Sequence, residues 1–263
     1  TTDFGEKDHF AGAIKGAIYS ELSDIRIVDV SHSVSPFNIS EAAYIILNAY
    51  SSFPKGTIHI VGIDSEISPE NKHIAVILDD HYFICANNGI MSMICAEIAP
   101  EKIVEINIHD KIETSFPVLD VFVKVACHIA RGGTLEVIGK VINTIKPIKN
   151  LIPFVNDEQN QIIGSVIYID NYGNVVTNIK RKFFETIQKT RAYEVSARSH
   201  KFKTIHQKYS DIIDFEIEES KRHDEGRGLV VFNSSGNLEI AVYKSNSSTV
   251  GSASTLMGLK TMD

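Results

Sequence analysis

The apolar and polar positions divide the chain into two halves of different character. In the first half, short β-branched runs alternate with helical patterns. Residues 25–30 (IRIVDV) and 57–63 (TIHIVGI) are near-continuous apolar runs of strand length, the pattern of buried strands in a largely parallel sheet. Between them, Asn38 or Ser40 is placed to cap a helix running through Tyr50, with Ala42, Ala43, Ile45, Ile46 and Ala49 on its apolar side. The stretch Phe53-Pro54-Lys55-Gly56 stops it, since proline lacks the N–H that a helix uses and glycine loses the most backbone freedom on ordering. Together these pieces read as a β-α-β unit.

HIAVIL and HYFICA around Asp79-Asp80 then predict a hairpin. Residues 89–99 read as helix, 103–108 as strand, and 118–130 as an amphipathic helix ended by Gly132-Gly133. Periodicity fades from Ile142 to Asn160, where Pro147 and Pro153 fall. The expected division is a domain over residues 1–148, a linker over 149–160 and a second domain over 161–263.

Beyond the linker, strands follow one another without long helices between them. SVIYID and VVTNI flank Asn171-Tyr172-Gly173-Asn174, and a helix is expected around Arg181–Gln188. AYEVSA, FKTIH, FEIEE, GLVVFN and LEIAVYK come next, a succession that predicts a sandwich or barrel.

Composition narrows the function classes. With 263 residues, 43% hydrophobic and 22% charged, the chain can bury a large core and does not read as disordered. The net charge of −7 and the lack of a basic stripe leave nucleic-acid binding without an electrostatic footprint. Lys180-Arg181-Lys182 and Lys221-Arg222 read as solvated faces. Cys85, Cys95 and Cys127 sit in apolar stretches without C-x-x-C spacing, as buried thiols of a reducing compartment do. No apolar run reaches the roughly 18 residues that span a bilayer, and the chain opens on polar Thr1-Thr2-Asp3. The expectation is a soluble cytoplasmic protein with no membrane partner.

Candidate chemistry gathers where strands end, the place where open α/β sheets bind ligands. Asp3, in Thr1-Thr2-Asp3-Phe4-Gly5, could accept hydrogen bonds from vicinal ribose hydroxyls or simply cap the following helix. Asp64 leaves a buried run and could act as a general base or only begin a turn. Asn87-Asn88-Gly89 offers amides to a heterocycle edge, or a tight turn. In Asp170-Asn171-Tyr172-Gly173-Asn174, an aromatic ring flanked by acid and amide suits a purine, although a hairpin turn explains the Asn-Gly content equally well. His32, His59 and His128 are scattered, with no H-x-x-x-H or H-E-x-x-H spacing, so no metal site is expected. Gly-x-Ser-x-Gly, P-loop and Gly-x-Gly-x-x-Gly sequences are absent.

Taken in order, TTDFG, DHFAGAIKG, the stretch from DVSHSVSPFN to GTIHIVGID, NNG, IDNYGNVVTNI, NSSGNLEIAV and GSAS resemble the S-adenosylmethionine hydroxide adenosyltransferase family, which is related to the fluorinases and chlorinases. The resemblance runs from Thr1 to Ala253. It implies an N-terminal α/β domain, a barrel-like β-rich C-terminal domain, and a homotrimer with sites between subunits. It further implies attack of water or hydroxide on the ribose C5′ of S-adenosylmethionine, giving adenosine and methionine, with no cofactor or metal. By matching position, Asp3 would hold the ribose and Asn88 would correspond to the asparagine of an Asp-Asn-Gly stretch. Asp170 and Ser234 would hold the methionine end, Tyr172 and Asn174 would lie on the adenine side, and Asp64 would be the hydrolase acid.

The chain also departs from that pattern. Asp64-Ser65-Glu66-Ile67-Ser68 stands where the hydrolases have Asp-Pro-Gly-Val-Gly, and Asn71 stands at an arginine position of the candidate catalytic set. Phe116-Pro117-Val118-Leu119-Asp120 replaces Phe-His-Gly-Arg-Asp, so proline stands for histidine. These changes open a second reading, a weakly active or non-enzymatic binder of S-adenosylmethionine or adenosine. A halogenase is the third; there the Asp64 charge would repel an incoming halide.

Overall fold

Helices in the first half form where the sequence supplies apolar stripes and caps. Helix α1 (Phe10–Glu21) buries Ile14 and Ile18. Helix α2 (Ile39–Ala49) starts at Asn38, whose Oδ1 accepts the Glu41 N–H at 3.1 Å, and buries Ala42, Ala43 and Ile46. Strands β1 (Ile58–Ile60), β2 (His73–Leu78) and β3 (His81–Ala86) follow, then α3 (Ile90–Ile94) and β4 (Lys102–Ile106). A π-helical turn, Val118–Phe122, leads into α4 (Val123–Ala130), and β5 (Gly139–Ile142) completes the set. The computed structural model describes residues 1–108, 113–148, 152–222, 226–246 and 251–263. By contact density the chain forms two units, Thr1–Asn150 and Leu151–Asp263. Residues 149–151 of the expected linker lie outside the described residues.

The sheet of the first unit runs β1-β3-β2-β4-β5. Ala75, Ile84, Val104 and Ile106 face Ile14, Ile18 and Phe122 on one side. Ile74, Val76, Phe83 and Cys85 face Ala42, Ile46 and Met91 on the other. With both faces covered, β2 and β3 carry unbroken apolar runs. Truncating a fully buried side chain such as Phe83 to alanine would cost about 3–5 kcal/mol.

Strand direction corrects the expectation of a largely parallel sheet. Only β1 and β3 pair in parallel; β2 with β3, β2 with β4 and β4 with β5 are antiparallel. An apolar run reports burial on both faces, not the direction of its neighbour. Residues 25–30 also form no strand. The carbonyls just beyond them, on Ser31 and His32, accept the N–H groups of Thr2 and Gly5 at 2.9 and 2.7 Å, and Thr2 makes a parallel bridge to Gly62. The helix expected over 89–99 is confined to Ile90–Ile94. The hairpin turn forms as expected, with Asp79 and Asp80 at φ 50 and 60, the left-handed pair that matches strand twist.

In the second unit β6 (Phe154–Val155) and β7 (Ile162–Ile163) make a small ribbon. Then come β8 (Val166–Ile169), β9 (Val175–Lys180), α5 (Arg181–Gln188), β10 (Val195–Ala197), β11 (His200–Phe202), β12 (Ile205–His206), β13 (Gly228–Phe232), β14 (Asn237–Val242) and α6 (Ala253–Met257). The main sheet runs β12-β13-β14-β9-β8, and its two edge strands do not pair among the described residues. It is an open sheet, not the barrel-like closure expected. Val230, Phe232, Leu238 and Ile240 pack with Ala253 and Met257 of α6 on one face. FEIEE forms no strand; its Phe215 and Ile217 are 62% and 44% exposed, so its alternation has no core to bury against. Among the described residues no helix is long and apolar enough to cross a membrane.

Candidate functional site

The Thr2–Gly62 bridge organises the first unit's polar residues. Gly62 N donates to Thr1 O at 2.9 Å, and a Cβ on Gly62 would lie 2.9 Å from Val118 Cγ2, so the close approach needs glycine. Asp3 follows Thr2, and Asp64 follows the buried Ile63; both carboxylates therefore leave the same ends of neighbouring parallel segments. Beneath them, Thr2 Oγ1 and His32 Nδ1 are 2.8 Å apart, and His32 Nε2 lies 3.1 Å from Asp29 Oδ1. The Lys15 ammonium, aided by His32, holds Asp29 below the usual carboxylate range.

Asp3 Oδ2 accepts the Phe37 N–H at 2.8 Å. Phe37 sits at φ 61 with its side chain 72% exposed, and sequence reasoning passed over it. The available signal was a phenylalanine between Pro36 and the helix cap Asn38, where nothing apolar waits to bury it.

Asp64, half-buried at φ 44, opens a loop that closes on itself. Ser65 O and His73 Nε2 lie 2.9 Å apart, Ser68 N donates to Asn71 O at 3.1 Å, and Asn71 N donates to Ser68 Oγ at 3.0 Å. Asn88, singled out for a heterocycle edge, makes its hydrogen bonds to the backbone. Its Nδ2 donates to Ile63 O at 2.9 Å and its Oδ1 accepts the Ile90 N–H at 3.2 Å. Asn71 Oδ1 accepts a hydrogen bond from Lys146 Nζ at 2.8 Å. Asp3, Asp64, Asn71 and Asn88 thus belong to one connected group of loops.

In the second unit, the turn between β8 and β9 is built around Asp170. Its Oδ1 accepts the N–H groups of Tyr172 and Asn174 at 2.9 and 2.8 Å, and its Oδ2 accepts Asn174 Nδ2 at 3.0 Å. Gly173, at φ 76, lies so close to the segment carrying Ser252 that a Cβ would sit 2.2 Å from Ser252 Oγ. Ser254 N donates to Gly173 O at 3.0 Å, fastening the GSAS stretch to this turn. Tyr172 is 63% exposed, whereas Asn174 is buried and its Oδ1 has no hydrogen-bond partner among the described residues. A buried acceptor left unpaired is costly, which makes it a ready contact for an incoming N–H.

Ser234 lies in the turn between β13 and β14, beside the end where Asn237 pairs with Lys180, while the 170–174 turn adjoins Val175, paired with Ile240. On β14 the buried Glu239 accepts from Tyr209 Oη at 2.7 Å and from Asn233 Nδ2 at 3.0 Å, and burial pushes its carboxyl up. Among the described residues no group of His, Cys, Asp and Glu gathers as a metal-ion site.

Comparison with known proteins assigns both units. Residues 1–139 match the SAM hydroxide adenosyltransferase N-terminal domain and residues 164–263 match the C-terminal domain of the same name. The chain is 28% identical over 260 residues to an (R)-S-adenosyl-L-methionine hydrolase of Methanocaldococcus jannaschii, covering 94% of this chain and 89% of that one. It is 23% identical over 214 residues to a fluorinase of Actinopolyspora mzabensis, covering 70% of this chain and 72% of that one. A crystal structure of an uncharacterized conserved protein from Thermotoga maritima superposes with a TM-score of 0.83 at 30% identity, covering 100% of this chain and 96% of that one.

Proposed function

The chain belongs to the SAM hydroxide adenosyltransferase family, and from that premise we propose that it hydrolyses S-adenosylmethionine, or a close adenosyl substrate, to adenosine and methionine. The observation that carries this reading is the Thr2–Gly62 bridge, which sets Asp3 and Asp64 at the same ends of neighbouring parallel segments. Ligands of open α/β sheets bind at such carboxyl ends.

In this reading Asp3 accepts hydrogen bonds from the ribose hydroxyls beside the exposed Phe37 ring. Asn174 Oδ1 accepts an amino N–H of the adenine, and the Tyr172 ring stacks on the base. Asp170, which shapes the turn that carries both residues, and Ser234 are assigned to the methionine end. Asp64 takes a proton from water as its oxygen bonds to C5′, and the C5′–S electron pair passes to sulfur. The sulfonium charge is lost, and methionine leaves as a neutral thioether. Holding water in line with the C5′–S bond contributes about 7–11 kcal/mol in well-oriented model reactions. The sulfonium is already a good leaving group, so the step asks for no cofactor.

One observation favours a second reading, a binder with little turnover. Asn71 is a neutral acceptor at an arginine position of the family, and Pro117 replaces a histidine. Incubating the pure protein with S-adenosylmethionine and resolving adenosine and methionine by chromatography separates the two. Ligand bound for a day without adenosine release leaves the binder. The same proposal has the chain assemble as a homotrimer with sites between subunits, and a monomer mass in light scattering would refute that part.

A further inference from the structure

The stretch after β5 is laced to the candidate site. Lys146 N donates to Asn87 Oδ1 at 2.8 Å, and Ile148 N donates to Ser92 Oγ at 3.1 Å. Ile148 lies against Gly89 so closely that a Cβ there would be 2.9 Å from Ile148 Cβ. Asn87 N in turn donates to Lys72 O at 2.6 Å, at the end of the Asp64 loop. Consecutive amides therefore grip two segments: Asn88 holds the backbone at Ile63 and Asp64, and Asn87 holds the backbone of Lys146. The ammonium that results, 75 residues from Asn71 in sequence, docks on Asn71 Oδ1 at 2.8 Å.

We propose that Lys146 is the positioning residue of the Asp64 loop, holding it closed through Asn71 so that Asp64 keeps its place during the reaction. The proposal rests on the hydrolase reading and names a group of that site that sequence spacing could not assign. As Asp64 takes the proton from water, negative charge builds on the attacking oxygen before its bond to C5′ is complete. A loop already fixed at its Asn71 end by Lys146 keeps the carboxylate in place for that step without reorganising. Lys146 is exposed, so solvent and salt screen the effect and keep it moderate. Asn71 thereby acquires a role that its own neutral amide does not suggest: it is the acceptor that seats a charge delivered from another segment.

Lys146→Met and Lys146→Arg in the full chain test this by two readouts, adenosine release from S-adenosylmethionine and hydrogen exchange of the Ser68 and Asn71 amides in the loop. In Lys146→Met, kcat is expected to fall about tenfold with KM changed less than about twofold, since the lost interaction is made mainly in the transition state. The Ser68 and Asn71 amides should exchange at least about tenfold faster in the same variant, because a loop that has lost its latch opens more often. Lys146→Arg should return both readouts toward wild type. Asn71→Leu, which removes only the acceptor, should reproduce part of the loss. The charges of Glu66, Glu70 and Lys72 along the loop are the same in all of these proteins. Loop exchange unchanged in Lys146→Met overturns the proposal, whether or not the wild type turns over. A wild type that releases no adenosine, but whose loop exchange quickens in Lys146→Met, overturns the hydrolase reading and upholds the latch.

Discussion

Asp3 Oδ2 accepts the backbone N–H of Phe37 at 2.8 Å, and this bond ties a half-buried carboxylate to an exposed aromatic ring held in the left-handed region. Left-handed backbone is uncommon for a bulky residue and tends to mark functional loops. If Asp3 is the ribose acceptor proposed above, it and the ring beside it act as one device.

Removing the carboxylate should undo both parts. Asp3→Ala is expected to weaken adenosine binding by at least about tenfold in calorimetry, from the roughly 1.5–3 kcal/mol of charge-assisted hydrogen bonds. Phe37→Gly separates the contributions: backbone strain is relieved, so thermal stability should hold or rise while affinity falls. An affinity unchanged in Asp3→Ala would mean the carboxylate serves only the Phe37 N–H.

Asp64→Asn should abolish adenosine release and leave ligand affinity within about threefold, because the amide keeps the shape and loses the base. The left-handed φ of 44 is one that asparagine adopts readily, so the fold should be undisturbed. Chromatography and calorimetry on the same preparation decide it. Release persisting at a tenth of wild type or more would remove Asp64 as the base.

Much of the first unit was legible because its signals are local. Asn38 with Glu41, the Pro54–Gly56 stop and the Asp79-Asp80 turn each act within a few residues, and each gave the element it announced. What failed depended on partners far away in sequence. Residues 25–30 have strand composition, but the backbone that reaches this region is the segment of Thr2 and Gly5, which binds just past their end. Strand direction in β2 to β5 is likewise invisible to a pattern that records only burial. In the site, Asp3 and Asp64 could be singled out from the strand ends, whereas the contact of Lys146 with Asn71 leaves no trace in spacing. Asn88 could be singled out as an amide, but its bonds to the backbone at Ile63 and Ile90 leave no trace in spacing.

Two glycines of the second unit give a graded test of the adenine-side turn. Gly236, at φ 71, has open space where a side-chain methyl would stand, with nothing within 4 Å, so Gly236→Ala meets backbone strain alone, about 1–2 kcal/mol. Gly173, at φ 76, adds the overlap with Ser252 Oγ at 2.2 Å. Gly173→Ala should therefore lower the melting temperature clearly more than Gly236→Ala and weaken adenosine binding as well. Equal thermal shifts would mean that the Ser252 contact yields without cost.

Stability in acid should depend on His59. Its Nε2 lies 3.2 Å from His81 Nδ1 and its ring stacks on Phe83 with centroids 4.7 Å apart. Burial, with the like charge of His81 adding to it, pushes His59 down from 6.5 to about 4. Between those values the unfolded chain binds a proton that the folded chain refuses, so acid favours unfolding. The contribution is complete above pH 6.5 and is lost as the pH falls to about 4. Melting temperature should decline over that window, and His59→Phe should flatten the decline. An equal slope in both proteins would assign the acid sensitivity elsewhere.

The left-handed backbone at Asp64 also bears on how such a chain can change over generations. Aspartate, asparagine and glycine tolerate that conformation, while valine, isoleucine and threonine meet steric resistance there. Descendants can trade the acid for asparagine or glycine with little harm to the fold, keeping the loop and, in the hydrolase reading proposed above, losing its base. Routes through a β-branched residue cross a less stable intermediate first. At this position, inheritance slides more easily from catalyst to receptor than from one chemistry to another.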